Sequence, residues 1–382
     1  MKLTAITSID EFSALECEYD TLLAQCSGKL LYVSFDYLVS WLTTIGAERP
    51  FTILVLRDRE KLLGVCPLIS QSTAEQRLWG VRTTTFPGAG LWGYADFVCS
   101  EDKKASVLPM FLNELLSGGC GDFVELGPFV ANSSSARIVQ QFLAAKGVSF
   151  TSQPQDGAIF IDTAMGFEEY EKALAGRKSV TSDIARCARR LDELGHVSVM
   201  RVPDRVSRDE FARYLGEFFA LYMKQWPENR FNKNPMFKDL YLEFGYRASQ
   251  KGFLDFSFLL LNERPIACHF GFVHNNSLYY FTPTFDVEYR RYSPGKILLR
   301  RLIERCFEEH LEFDFLNAID SYKLEWSSTI RERVMFQQGV TFKWKLYMKY
   351  SQCARRMRGY VSKAWRIGRQ LMGQVARSHV EP

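Results

Sequence analysis

Residues 254–299 read LDFSFLLLNERPIACHFGFVHNNSLYYFTPTFDVEYRRYSPGKILL. Apolar, aromatic-rich runs broken by polar turns at Asn262-Glu263 and Asn275-Asn276 predict three successive strands, Phe253 to Leu261, Ile266 to His274 and Ser277 to Thr284. The basic turn Tyr289-Arg-Arg-Tyr-Ser-Pro-Gly-Lys296 then opens a helix from Pro294 to His310. Ser293 suits the N-cap, Pro294 suits the first helical position because its missing N–H would have no partner there, and Gly295 admits a close neighbour. Unpaired amides, the positive end of the helix dipole and the cations of Arg290, Arg291 and Lys296 converge on one point, which suits a pyrophosphate. A capped helix with a solvated basic start fits the same residues.

A strand from Glu312 to Leu316 closes this unit. Upstream of it the pattern predicts helices at Phe167 to Leu174, Thr181 to Leu194 and Asp209 to Gln225, with a strand at Val197 to Val202. The first half reads similarly: helices at Ile9 to Cys26 and Ser34 to Ile45, strands at Phe51 to Arg57 and Leu62 to Ser70, and a loop from Thr83 to Gly93. A strand at Tyr94 to Cys99, a helix at Ala105 to Leu116 and a strand at Asp122 to Leu126 follow. FTILVLRDREKLLGVCPL (51–68) superposes without gaps on LDFSFLLLNERPIACHFG (254–271), each copy followed by a helix and a further strand. This order predicts an α/β protein with a mixed sheet in each half. The first half's turn before its helix, Ser100-Glu-Asp-Lys-Lys104, carries two carboxylates that repel a pyrophosphate, so only the second half reads as competent.

Length and composition set outer bounds. A chain of 382 residues with 47% hydrophobic and 14% aromatic side chains supplies roughly two to three cores. No apolar run is long enough to span a bilayer, and Asp10 and Glu11 stand where a signal peptide is apolar, so a cytoplasmic location is expected. Nine cysteines without a Cys-x-x-Cys pair read as small buried hydrophobes, and the five histidines have no ligand spacing, so no metal site is expected. From Arg333 to Val380 there are eleven Lys or Arg and no acid, leaving 37 basic and 43 acidic residues before it. In this tail Tyr347, Tyr350, Ala354, Met357, Val361, Ala364, Gly368, Leu371 and Val375 recur at spacings of three and four, a basic amphipathic helix. Such a helix suits either an anionic membrane surface, reached from the inner face, or docking on the protein's own body. Nucleic-acid binding is not favoured, because no known binding motif accompanies the tail.

Several motifs carry two readings. Gly88-Ala-Gly90-Leu-Trp-Gly93 matches a dinucleotide fingerprint, but the strand-like residues after it are the wrong context; a cleft-lining loop, with Trp92, Tyr94 and Asp96 facing a polar ring-shaped ligand, accounts for it better. Arg186, Arg189 and Arg190 share a helical face open to an anion or to solvent. His269 alternates with Ala267, Gly271 and Val273, as a core histidine or one facing a substrate. Asp320, Tyr322, Lys323 and Glu325 follow a strand end, where α/β folds place reactive groups.

Ser293-Pro-Gly-Lys-Ile-Leu-Leu299, with Tyr280, Asp286 and Tyr289 before it and Phe313-Asp-Phe-Leu316 and Tyr322-Lys-x-x-Trp326 after it, resembles the C-terminal unit of the BioF2-like (CelD/BcsL-type) acyltransferases. These belong to the GNAT superfamily and are related to the Fem-type peptidoglycan transferases. Arg290-Arg-Tyr-Ser-Pro-Gly295 fits the superfamily's acyl-CoA loop, Gln/Arg-x-x-Gly-x-Gly/Ala, with Ser293 in place of the first glycine. The resemblance covers most of residues 1 to 345. It implies tandem GNAT-like domains, a degenerate one at 1–160 and an acyl-CoA-binding one at 161–345, followed by the basic tail at 346–382. It further implies acetyl-CoA or another acyl-CoA as co-substrate and an acceptor amine or hydroxyl, often on a sugar or surface-polysaccharide precursor. Acyl transfer from a thioester needs positioning, a proton acceptor and an oxyanion donor. The expected roles are Arg290, Arg291, Ser293, Gly295 and Lys296 for the pyrophosphate, His269 or Asp320 as base, and Tyr280 or Lys323 to orient substrate. A Fem-like aminoacyl transferase using charged tRNA and a non-catalytic membrane-associated scaffold are the alternatives.

Overall fold

The computed structural model describes residues 1–353 except 90, 92, 149, 150 and 176–178. Gly90 and Trp92 of the glycine-rich loop, Gly176 to Lys178 of the arginine-rich segment, and the tail helix beyond residue 353 therefore lie outside the described residues. The strands are β1 (Lys2–Ile6), β2 (Phe51–Asp58), β3 (Lys61–Gln71), β4 (Thr83–Thr85), β5 (Val98–Cys99), β6 (Phe123–Val130), β7 (Thr151–Ile161), β8 (Val197–Arg201), β9 (Leu254–Leu261), β10 (Arg264–His274), β11 (Ser277–Phe285), β12 (Glu312–Asp314) and β13 (Ile330–Gly339).

All of them join one mixed sheet, ordered β1-β2-β3-β4-β6-β13-β7-β12-β11-β10-β9-β8, with β5 paired to β3. Read from either edge the order is the same. The matching stretches 51–68 and 254–271 form the antiparallel pairs β2–β3 and β9–β10. Next comes a parallel pair of three residues in each half, Thr83–Thr85 with Phe123–Glu125 and Ser277–Tyr279 with Glu312–Asp314. The tandem α/β arrangement is therefore present.

At the centre the halves exchange strands. β7 follows the first half along the chain but pairs with β12 of the second, whereas β13 follows the second half and pairs with β6 of the first. β7 and β13 pair with each other and close the sheet. Arg331 of β13 pins this join. Its guanidinium donates to Asp314 Oδ2 (2.8 Å), Glu312 Oε2 (2.6 Å) and the Tyr94 hydroxyl (3.2 Å), and lies 4.0 Å from the centre of the Phe160 ring.

One core spans both halves on a single face of the sheet, where Phe12, Tyr19, Phe35 and Tyr37 share a cluster with Phe211, Phe218, Tyr241, Phe244 and Phe270. On the other face each half has its own core. The helix Pro294–Glu308 buries Ile297, Leu298, Leu302 and Ile303, and the helix Lys104–Leu116 buries Val107, Leu108, Phe111 and Leu112.

The elements differ from expectation in places. The segment expected as one helix at Ile9 to Cys26 is two, Ile9–Ser13 and Glu16–Leu23. Thr83–Thr85 is a strand rather than loop, because it is sandwiched between β3 and β6. Of the strand expected at Tyr94 to Cys99 only Val98–Cys99 pairs. None of the nine cysteines is bridged, and among the described residues no helix is long and apolar enough to cross a membrane.

Candidate active site

β11 pairs with β10 along its length but with β12 only from Ser277 to Tyr279. Beyond that point β11 runs on to Phe285, while the chain after Asp314 turns away through left-handed Leu316 (φ 59°) and Ala318 (φ 72°). Two side chains fix the turn: Asp314 Oδ1 accepts from Leu316 N–H at 2.8 Å, and Lys323 Nζ donates to the carbonyls of Phe315 (3.0 Å), Asn317 (2.6 Å) and Ala318 (3.1 Å). The strands part into a wedge that holds a cavity of about 730 Å³. Tyr280, Pro283, Thr284 and Phe285 form one wall, Asp320, Ser321 and Tyr322 the other, and Trp226, 51% exposed, borders it. Gln225 Oε1 accepts from Thr284 Oγ1 (2.9 Å) and Phe285 N–H (3.0 Å), so it holds in place the end of β11 that lies beyond β12.

The start of the helix Pro294–Glu308 supplies the remaining side. The two-turn 3₁₀ helix Val287–Tyr292 leads into it, capped by Asp286, whose carboxylate is also held by Lys224 (3.2 Å) and Arg264 (3.1 Å). Ser293 occupies the N-cap position, but its side chain caps no amide, against expectation. Its backbone is left-handed (φ 50°, ψ 48°), whereas side-chain capping needs an extended residue. Its carbonyl still takes the N–H groups of Lys296 (3.0 Å) and Ile297 (3.1 Å). This is the position where the superfamily loop has glycine, the residue that reaches positive φ most freely. A Cβ on Gly295 would stand 3.3 Å from the Phe285 ring, so the glycine keeps that wall open.

Four of the residues expected to meet a pyrophosphate, Arg290, Ser293, Gly295 and Lys296, line the large cavity. Arg291 lines a smaller one of about 230 Å³ beside Ser293 and Lys296, together with Arg186, Asp183 and Glu325. Lys296 is ion-paired with Glu325 and Arg186 with Asp183 (3.0 Å), while the Arg190 guanidinium lies 5.6 Å from the centre of the Tyr292 ring.

Of the expected catalytic residues, Tyr280 and Asp320 line the cavity; His269 and Lys323 do not. His269 is wholly buried behind Tyr280, their rings stacked at 4.7 Å. Its Nδ1 lies 3.3 Å from Asp255 Oδ1, and Asp255 is also bound by Arg305. Burial lowers the His269 pKa more than Asp255 raises it, so the ring is neutral. Burial alone would raise the Asp255 carboxyl, but the His269 contact and the charge of Arg305 outweigh it and hold the pKa at about 2. A side chain shut behind another ring cannot reach an acceptor's proton, which corrects the expectation for His269. Lys323 is likewise spent on the loop: it is buried, its pKa is lowered by that burial, and its remaining partner is Asp320 at 3.5 Å. Asp320 is half exposed, and the Tyr280 and Tyr322 phenols are pushed up by burial and stay protonated.

The wall residues Gln225, Trp226 and Phe285 were not singled out from the sequence. The first two end the helix Arg208–Gln225, and no local pattern tells that this end abuts a strand about 60 residues later.

In the first half the equivalent helix start is filled by its own side chains. Lys104 is buried against Glu101 (3.0 Å), Ser134 Oγ (3.2 Å) and Asp96 (3.9 Å). Tyr94 and Asp96, expected to face a ligand, are instead taken up by buried polar contacts, Tyr94 with Asp314 at 2.8 Å. Among the described residues no group of His, Cys, Asp or Glu is arranged to hold a metal ion.

Residues 178–324 match the family model of the acetyltransferase (GNAT) domain. No curated protein matches the chain in sequence. Among solved structures, FemX superposes with a TM-score of 0.58 at 10% identity, over 91% of this chain and 99% of that one. A conserved protein of unknown function from Bacteroides thetaiotaomicron VPI-5482 gives 0.54 at 14% identity, over 84% and 97%. The C-terminal domain (DUF2156) of a putative lysylphosphatidylglycerol synthetase from Agrobacterium fabrum gives 0.53 at 10% identity, over 91% and 96%. At these identities the likeness is one of fold. The wedge and its helix mouth lie within the segment that matches the acetyltransferase (GNAT) domain model.

Proposed function

We propose that the protein is an acyl-CoA-dependent acyltransferase that moves an acetyl group to an amine or hydroxyl of a sugar or surface-polysaccharide precursor. The observation that carries this reading is the parting of β11 from β12 beside a helix start where Arg290, Gly295 and Lys296 line the cavity. The helix mouth suits the diphosphate of CoA, since Arg290, Gly295 and Lys296 line the cavity at the positive end of the helix. The wedge suits the extended thioester arm, which would run beside Tyr280. Trp226 and Asp320 at the rim suit a polar, ring-shaped acceptor, one by stacking and the other by hydrogen bonding.

In the proposed reaction the acceptor's nitrogen or oxygen attacks the thioester carbonyl. The new C–N or C–O bond forms, the C–S bond breaks, the acceptor's proton passes to the Asp320 carboxylate, and the CoA thiolate is protonated by Tyr280, which regains its proton from solvent.

Calorimetric titration with acetyl-CoA tests the reading. Saturable heat that disappears in Ser293→Asp, whose carboxylate would repel the diphosphate, supports it. An absence of heat from the parent protein would refute it, and would be the result for an aminoacyl-tRNA user or a scaffold.

A further inference from the structure

After β13 the chain forms helical residues 342–353, which lie against the first half. One face of this helix is packed: Trp344 stacks on Phe123 at 4.0 Å, and Tyr347 meets Trp344 at 5.4 Å and Trp79 at 6.4 Å. Lys343 ties it down further, donating to the Gly80 carbonyl at 2.8 Å.

A second face is also apolar, yet it meets solvent. Phe342, Leu346 and Tyr350, spaced four apart on one stripe, are 73%, 44% and 46% exposed. Trp79, 37% exposed, widens the stripe by its 4.8 Å contact with Tyr350. Lys345 and Lys349 are exposed along its border. Packing against the body therefore does not use up the helix's apolar surface. In the sequence that follows, Met357, Val361, Ala364 and Leu371 occur at spacings of three, four and seven, and no acidic residue occurs from 333 to 380.

We propose that this face docks on an anionic lipid bilayer. Phe342, Leu346 and Tyr350 enter the boundary between headgroups and acyl chains, and Lys345 and Lys349 meet the lipid phosphates. Charge complementarity selects this occupant. A large apolar stripe bordered by lysines and free of acids matches a negatively charged apolar layer, whereas a nucleic-acid duplex would engage the cations and leave the stripe in water.

The test is co-sedimentation of the full chain with phosphatidylcholine vesicles that contain, or lack, about 30% phosphatidylglycerol. Binding at least about tenfold stronger to the anionic vesicles is expected, weakened by added salt. Phe342→Ser/Leu346→Ser should lower it about tenfold or more, and Lys345→Glu/Lys349→Glu likewise, with melting temperature and acetyl-CoA affinity at parental values. Equal binding to both vesicles, or anionic binding that ignores the loss of Phe342 and Leu346, overturns the proposal. So does binding to short RNA that both serine substitutions leave intact and vesicles do not compete for.

Discussion

Ser293 holds a left-handed backbone that a side chain makes costly, at the point where the chain enters the helix of the candidate site. Ser293→Gly should raise stability by about 0.5 to 1 kcal/mol in urea denaturation and leave acetyl-CoA affinity intact, because only the strain is removed. Asp320→Asn should lower kcat at least about a hundredfold with the acetyl-CoA Kd unchanged, the pattern of a lost proton acceptor. His269→Ala is expected to act differently: it opens a void beside a buried Asp255 and should cost about 2 to 4 kcal/mol of stability. His274 sets a pH dependence. Its ring is pushed down to about 4 by burial and then by the charge of Lys29, so it is neutral when folded and protonates near its ordinary value when unfolded. Its contribution is therefore complete above about pH 6.5 and lost as pH falls toward 4, a change of about 3 kcal/mol. Denaturation curves at pH 7 and 4.5 should diverge accordingly, and less so in His274→Gln. At this scale the Pro-Gly-Lys helix start was legible because Pro and Gly have position-specific uses. Alternation put His269 on the right face of its strand, but depth below the surface has no local signature.

The wedge is a property of two elements that stop pairing. Lys323 keeps them apart by collecting three carbonyls of the turn after β12. Lys323→Met should cost about 2 to 4 kcal/mol, since several buried acceptors lose their donor, and should lower turnover by loosening the wall that carries Asp320 and Tyr322. Urea denaturation and steady-state kinetics on the same sample would check both. The hairpins β2–β3 and β9–β10 were readable from long apolar runs and Asn, Asp and Glu turns. β7 was not: its first residues, Thr-Ser-Gln-Pro-Gln-Asp, are mostly exposed and contain a proline, so they read as loop until β13 supplies the partner. β13, with Arg331 and Arg333 at positions that proved buried or nearly so, hid its inward face behind charge.

For the whole molecule the decisive fact is the exchange of β7 and β13. Internal repetition announced two halves; it held no information about which half would receive each final strand. Residues 1–165 and 166–382 made separately should each lack a central strand and fail to melt cooperatively, whereas co-expression should recover a complex with parental secondary structure. Two fragments that fold and unfold independently would contradict this.

Arg331 extends that exchange to the chemistry. Asp314, the last paired residue of β12, is the apex from which the crevice opens, and it is clasped by a cation on β13 and a phenol from the first half. Any breathing of the crevice must then move both lobes. The lobe whose own helix start is plugged is thus no idle relic: it sets the stiffness of the jaw in which its twin would grip a ligand.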